Sequence, residues 1–395
     1  MDFRFSTKEE AFRREVDDFF KAALPKKDPG DADDELDSDA AFARGKEFSK
    51  KLAKKGWLAL HWPKEYGGYG ASHMEQLVYS EESAHFGVPG DTPASMAVSW
   101  VGPAIMLYGT EEQKKNWIPK ILSREVGFCT LYSEPEAGSD LASLRTRAVQ
   151  DGDFFVVNGQ KVWNSGAHRA DYGWLAARTD PDAPKHKGIS LFIMDMKSPG
   201  VTVKPLINLA GTHEFNEVFM ENVRIPKANL VGELNRGWYA LAVALDFERS
   251  GTGRSIGMRK SLAELVQYCK RTKADGKPLS DNPVIRNELA QRAIEIEVCH
   301  WLSYRVPWMR SKGLLPNKEA SIGKVMGSEI NQRFQVTAQK ILGMYGQLPK
   351  GSKRAPMNGR YYYGFLRSMA NTIEAGTSEI NRNIIAQRGL GLPRN

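Results

Sequence analysis

Three regions of the sequence concentrate side chains able to do chemistry. In TIEAGTSEI, residues 372–380, Glu374 stands just ahead of an Ala-Gly-Thr-Ser turn that opens the helix-like run NRNIIAQRGL. A carboxylate there can act as a base, or it can be a neighbour of a helix start, where Thr377 and Ser378 are good caps and an acid favours the macrodipole. In ALDFERSGTGR, residues 244–254, Glu248 follows an apolar helical run and precedes small residues, Ser250, Gly251 and Gly253, that leave room for a substrate. An ion pair along the helix would need a basic residue three or four positions on, and those positions hold Gly251 and Thr252. The third region has two pieces. FCTLYSEPEAGSDLASLRTRA, residues 128–148, packs hydroxyls, a Glu-Pro turn and a Gly-Ser-Asp turn into one loop after a strand. NGQKVWNSGAHRADYGWLAARTDP, residues 158–181, sets Trp163 and Ser165 at the end of a strand that begins with an Asn-Gly hairpin signal. A flat aromatic beside hydroxyls and free backbone N–H groups is a cradle suited to a flavin, whose ring needs stacking and hydrogen bonds along its polar edge.

The elements that must hold these pieces fall into three blocks. Residues 1–127 read as helical, with an opening amphipathic helix that carries Phe12, Val16, Phe19, Phe20 and Ala23 at helical spacing behind a Ser6/Glu9 capping box. Residues 128–236 change texture to short β-branched or alternating runs between turns, FFVVNGQKVW, YGWLAART, ISLFIMDM, VTVKPL and NEVFMENVRIP, which predict an antiparallel β-domain. Residues 237–395 return to long helical patterns. The expected class is α+β, a β-domain between two helical domains. No GxGxxG follows a strand and no Walker loop occurs, so a nucleotide cofactor must be held in another way.

Composition narrows the classes. At 395 residues and 41% hydrophobic content the chain can bury a large core without staples. Cys129, Cys269 and Cys299 show neither CxxC nor Cys/His metal spacing, so a reduced cytoplasmic setting and no structural metal are expected. The amphipathic N-terminus is not a signal peptide, and no segment is apolar enough to span a bilayer, so no membrane association is expected. The net charge of +8 comes from dispersed residues rather than a basic run with interleaved aromatics, which fits a small polyanion such as a nucleotide-bearing substrate better than nucleic acid.

YSEPEAGSD, NGQKVWNSGA, PGVTVKPLINLAGTHEFNEVFMENVRIP, ALDFERSGTGR and GTSEINRNIIAQRGLGLP follow one another in the order found in the acyl-CoA dehydrogenases, and the resemblance covers nearly the whole chain. It implies FAD between the β-domain and the C-terminal helical domain, and α,β-dehydrogenation of an acyl-CoA thioester, with electron-transfer flavoprotein as the usual acceptor. On the family pattern Tyr132, Ser133, Trp163 and Ser165 line the flavin, and Thr377 and Glu379 approach its adenosine part. Ser139 touches the CoA moiety, and Asp246 and Arg249 border the pantetheine channel. An oxidase of the same fold, using oxygen, and a non-catalytic partner subunit are the alternatives.

The resemblance also bears on the base. Many relatives place a Glu directly before Gly-Thr-Ser, where this chain has Ala375, with Glu374 one step back. The isovaleryl-CoA branch keeps its base on a helix in an L-x-x-E-R setting, with which Glu248 is in register. Glu248 is therefore the expected base and Glu374 the alternative, while the Ala375 backbone N–H keeps the family's role as donor to the thioester carbonyl. Two segments that complete FAD in trans in homotetrameric relatives depart from the pattern. RTKADGKPL puts Thr272, Ala274 and Asp275 where R-x-T-F-G has Arg, Thr and Phe ahead of Gly276, and KILGMYG puts Lys340 and Met344 in place of Gln and a Gly. An acid beside a pyrophosphate repels it. The expectation is an α2β2 heterotetramer with a homologous second subunit, and the alternative a homotetramer in which Arg271 and Lys273 replace the lost Arg. The texture also resembles bacterial relatives acting on bulky thioesters such as steroid side chains, or on dicarboxylyl-CoA.

Overall fold

The computed structural model describes residues 4–24, 38–241, 252–316 and 318–393. The chain divides into two compact units, one made of Met1–Ala32, Ser72–Val88 and Arg249–Asn395, the other of Asp33–Ala71 and Pro89–Glu248. The N-terminal helices are shared between them: α1 (Thr7–Ala23) and α3 (His73–Phe86) fall in the first unit, and α2 (Asp39–Lys55), α4 (Thr92–Met96), α5 (Gly102–Tyr108) and α6 (Glu111–Leu122) in the second.

The second unit is built on an eight-stranded sheet: β1 (Phe128–Leu131), β2 (Arg147–Asp151), β3 (Phe154–Lys161), β4 (Tyr172–Arg178), β5 (Ile189–Asp195), β6 (Val201–Leu206), β7 (Phe215–Pro226) and β8 (Leu230–Val231). The order is β6-β7-β3-β2-β4-β5-β8, with β1 also paired to β4. Most pairings are antiparallel as expected, but β4 runs parallel to both β1 and β2, so the sheet is mixed. The apolar runs of β4 and β5 follow from burial on both faces. Trp174, Ala176, Leu191 and Ile193 pack with the helix-side residues Trp62, Val101, Ile105 and Trp117. The alternate residues Leu175, Ala177, Phe192 and Met194 pack with Phe155, Val157, Val218 and Met220 on the opposite face.

The Asn-Gly signal is a correction. Asn158-Gly159 lies inside β3, where the register against β7 shifts between Val157 and Gly159, and the hairpin turn between β2 and β3 is instead at Gly152, with φ 57°. The extra residue of that shift lies in β7, where Asn222 has φ 52°, and Gly159 is needed for close approach, since a Cβ there would come within 2.5 Å of Thr146 Oγ1.

In the first unit α1 has the expected capping box, with Ser6 N–H donating to Glu9 Oε2 at 2.6 Å, and buries Phe12, Val16 and Phe20. The C-terminal helices α7 (Thr252–Arg271), α8 (Pro283–Ser311), α9 (Lys318–Leu342) and α10 (Arg360–Ser368) enclose Leu265, Cys269, Ile296, Ile330, Phe334 and Tyr361. The short α11 (Ser378–Ile384) follows the Ala-Gly-Thr turn. No helix among the described residues is long and apolar enough to cross a membrane.

Candidate active site

In the second unit, the chain leaving β1 and the chain leaving β3 are tied together. Val162 N–H donates to Ser133 O at 2.9 Å, and Lys161 Nζ donates to Tyr132 O at 3.0 Å and to Glu134 Oε1 at 2.8 Å. Glu134 also accepts from Arg145 N–H at 2.6 Å and Thr146 N–H at 2.8 Å, so one carboxylate fixes both ends of the 134–146 loop. Lys161 is fully buried and Glu134 nearly so. Burial alone would push the Glu134 carboxyl up, but Lys161 and the donors facing it outweigh that and hold it below the usual range. Burial pulls the Lys161 ammonium down to about 8 in spite of Glu134. Such a pair fixes a conformation more than it adds stability.

That frame presents Trp163 outward. Trp163 has φ 62°, an unfavourable conformation for a bulky residue, and is 55% exposed, its ring meeting only the edge of Phe215 at 5.6 Å among the described aromatic pairs. The next residue anchors it: Asn164 Nδ2 donates to Thr130 O at 2.9 Å, and Asn164 and Asn216 exchange bonds at 3.0 and 2.9 Å. The half-buried hydroxyls of Ser133 and Ser165 have no hydrogen-bond partner among the described residues. Tyr132 is buried against Trp100, and burial raises its phenol above the ordinary range. Ser139 lies exposed on the same loop, one residue before Asp140, which pairs with Lys185 and accepts from Ser143 Oγ at 2.6 Å. The structure thus brings Tyr132, Ser133, Trp163 and Ser165 together on two tied loops.

In the first unit the turn after α10 separates two groups that adjoin in sequence. The Glu374 carboxylate accepts from Asn371 Nδ2 at 2.7 Å on one oxygen and from Arg367 Nη2 at 3.0 Å on the other. Asn371 is itself held by Asn331 Nδ2 at 2.7 Å and by Lys324 Nζ on its carbonyl at 3.0 Å. The next residue, Ala375, has φ 53°, is exposed, and its N–H has no acceptor among the described residues. Thr377 caps α11, accepting from Ile380 N–H at 3.1 Å, and the exposed Glu379 is held below the usual carboxylate range by its own backbone N–H and the Thr377 hydroxyl. Asp246, Glu248 and Arg249 lie outside the described residues.

The two divergent segments are also in the first unit. Lys273–Ala274 and Lys277–Pro278 form a minimal hairpin whose turn residues, Asp275 and Gly276, have φ 49° and 78°. Asp275 is exposed there, as are Arg271 and Lys273. Lys340 reaches Glu288 at 3.9 Å, and Met344 is 78% exposed.

Sequence reading missed Lys161, Glu134, Asn164 and Asn216. Only Lys161 left a signal: a lysine in step with the buried positions Phe155 and Val157 of a strand implies a buried acid partner.

With these features on a mixed β-unit and a helical unit, the chain belongs to the acyl-CoA dehydrogenase family. Residues 6–125 match the family's N-terminal domain, 129–223 its middle domain and 235–390 its C-terminal domain. It is 38% identical over 356 residues to acyl-CoA dehydrogenase FadE26 of Mycobacterium tuberculosis, covering 88% of each chain. Among solved structures it is similar to the Tcur3481-Tcur3483 steroid ACAD, with TM-score 0.87 and 35% identity, and to the ChsE4-ChsE5 complex from Mycobacterium tuberculosis, with TM-score 0.86 and 35% identity, over 100% of both chains in each case. The family is one of flavoproteins, and the residues fit a flavin: an exposed indole held in a strained conformation, with two unpartnered hydroxyls on the same tied loops, offers a stacking face and donors for a polar edge.

Proposed function

We propose that this enzyme carries out FAD-dependent α,β-dehydrogenation of an acyl-CoA thioester, with Glu248 as the base that removes the α-proton. When bound, the flavin supplies the acceptor for the β-hydrogen as hydride. On this reading Tyr132, Ser133, Trp163 and Ser165 hold the flavin ring, Thr377 and Glu379 serve the adenosine part of FAD, and Ser139, Asp246 and Arg249 contact the CoA thioester. The Ala375 N–H donates to the thioester carbonyl, where negative charge grows as the α-proton leaves.

The observation that carries the reading is the division of labour in one turn: Glu374 is committed to Arg367 and Asn371, while the adjacent Ala375 N–H is left without an acceptor. With a donor on each oxygen the Glu374 carboxylate is anchored where it stands rather than free to swing toward a substrate, which makes the second carboxylate of the sequence, Glu248, the better choice.

The likeness to a steroid ACAD supports a bulky steroid side-chain CoA ester as substrate, and the likeness to two heteromeric complexes supports a homologous second subunit in an α2β2 assembly. Electron-transfer flavoprotein is the acceptor on this reading. Anaerobic bleaching of the flavin by a panel of steroid, straight-chain and dicarboxylyl CoA esters tests it. Preference for the steroid esters is expected, a preference for straight chains overturns the substrate, and no bleaching by any ester overturns the reaction.

A further inference from the structure

Lys324, Asn331 and Gln332 are spaced to lie on one face of α9, and all three reach the segment that leads from α10 into the Ala375 turn. Gln332 Nε2 donates to Ser368 O at 3.1 Å and to Thr372 Oγ1 at 3.1 Å. Lys324 Nζ and Asn331 Nδ2 converge on Asn371, the first on its carbonyl at 3.0 Å and the second on Oδ1 at 2.7 Å. Asn371 is only 8% exposed and passes the link on, its Nδ2 donating to Glu374 Oε1 at 2.7 Å. A carboxylate can only accept, so the chain has a fixed direction, from Asn331 to Asn371 to Glu374.

The peptide between Glu374 and Ala375 is held from both sides. Ahead of it, Glu374 N–H donates to Ala370 O at 2.9 Å while the Glu374 carboxylate takes Asn371 and Arg367. Beyond it, the buried Asn381 donates from Nδ2 to Gly376 O at 2.9 Å and to Thr377 O at 3.0 Å. Ala375 and Gly376 both have positive φ, 53° and 82°, so local preference does not maintain this turn, least of all at an alanine. Its shape is imposed by the side chains that bracket it. Within that bracket the Ala375 N–H has no acceptor among the described residues. A donor held in direction while unoccupied is what a preorganised oxyanion site requires.

We propose that Asn371 is a positioning residue for the Ala375 N–H, setting from α9 the direction in which that donor points. The inference rests on the acyl-CoA reading above and deepens it. As the α-proton leaves for the base, the C–H electron pair moves onto the thioester oxygen, which gains charge only then. A donor tilted away therefore loses more in the transition state than in the ground state, and the loss falls on kcat rather than on KM. Asn371→Asp keeps the size of the side chain but sets a second carboxylate against Glu374. Adding Glu374→Gln puts an amide donor opposite the new acceptor, so the link is restored with reversed polarity and the net charge of the wild type is kept.

The test uses acetoacetyl-CoA, whose α-proton is acidic enough to titrate on the protein without oxidation of the ligand. Absorbance against pH at saturating probe gives the pKa of the bound ligand, which reports charge stabilisation at the thioester oxygen and not the rate of proton removal. The wild type should lower it from the free value. Asn371→Asp should raise it again by about 1 and lower kcat roughly tenfold with KM within about twofold, and Asn371→Asp/Glu374→Gln should recover most of both. Circular dichroism confirms folding, and should Asn371→Asp not fold, Asn331→Ala, which adds no charge, should raise the bound pKa in the same direction by about 0.5. A residue that served stability alone would lower Tm and leave the bound pKa where it was. Equal bound pKa in wild type and folded variants overturns the positioning role and leaves the acyl-CoA reading standing. A wild type on which the probe keeps its free pKa removes the Ala375 donor and the positioning role together, and bleaching by the ester panel still judges the reaction by itself.

Discussion

Arg367 and Glu374 are joined at 3.0 Å through Nη2 and Oε2, which leaves the one carboxylate of the Ala-Gly-Thr-Ser turn occupied as a brace. Its other oxygen holds Asn371, so the carboxylate links the end of α10 to the turn. Glu374→Ala should therefore cost about 1 kcal/mol of stability, the worth of part-exposed charge-assisted bonds. Urea denaturation measures it. A variant as stable as the wild type would show the brace to be idle.

If Trp163 holds the flavin as proposed, its backbone strain is kept for a ligand. Its φ of 62° costs about 1 kcal/mol or more, and with 55% of the residue exposed the protein recovers little of that through packing. Trp163→Gly should leave the flavin-free protein equally or more stable in thermal unfolding, while flavin is lost more readily on dialysis. Marked destabilisation of the flavin-free form, with flavin retained, contradicts the platform.

The site was legible in the sequence to the extent that its parts were local. Ala375 came from the family resemblance, whereas Trp163 drew notice because an aromatic beside hydroxyls at a strand end is a pattern within a few residues. The Ser6/Glu9 cap and the strands β3 to β7 were legible for the same reason. Lys161 with Glu134 was not, since the pair spans 27 positions and forms only when β3 docks beside the loop. The mixed sheet was missed because the two strands that run parallel to β4 are weak in sequence: β1 has only four residues, and β2, Arg-Ala-Val-Gln-Asp, buries only Ala148 and has no alternation to read. The Asn-Gly pair misled because a glycine inside a strand also serves close approach of a neighbouring chain, here Thr146.

The buried Lys161 makes stability depend on pH in a definite direction. Its ammonium is pulled down to about 8 from 10.5. Between these values the unfolded chain holds a proton the folded chain has released, so stability rises with pH across that window. Denaturation at about pH 8 and about pH 10 should show the wild type gaining stability relative to Lys161→Met. A constant difference between the two proteins contradicts the assignment.

The exposed Asp275 and Met344, with Lys340 turned to Glu288, leave the segments that serve FAD in trans in homotetrameric relatives without their usual residues. Expressed alone, the chain should hold well under one flavin per protomer, and co-expression with a homologous subunit should raise retention to one flavin per pair of chains. A stable homotetramer with a full complement of FAD contradicts the heteromer.

Stopped-flow reduction of the bound flavin by acyl-CoA, in Glu248→Gln beside Glu374→Gln, tests the central claim most directly. The account predicts that Glu248→Gln keeps its flavin and loses reduction by about 10²-fold or more, the range of a general base, while Glu374→Gln stays within a few-fold of wild type. Reduction at the wild-type rate in Glu248→Gln, with its loss in Glu374→Gln, would contradict it.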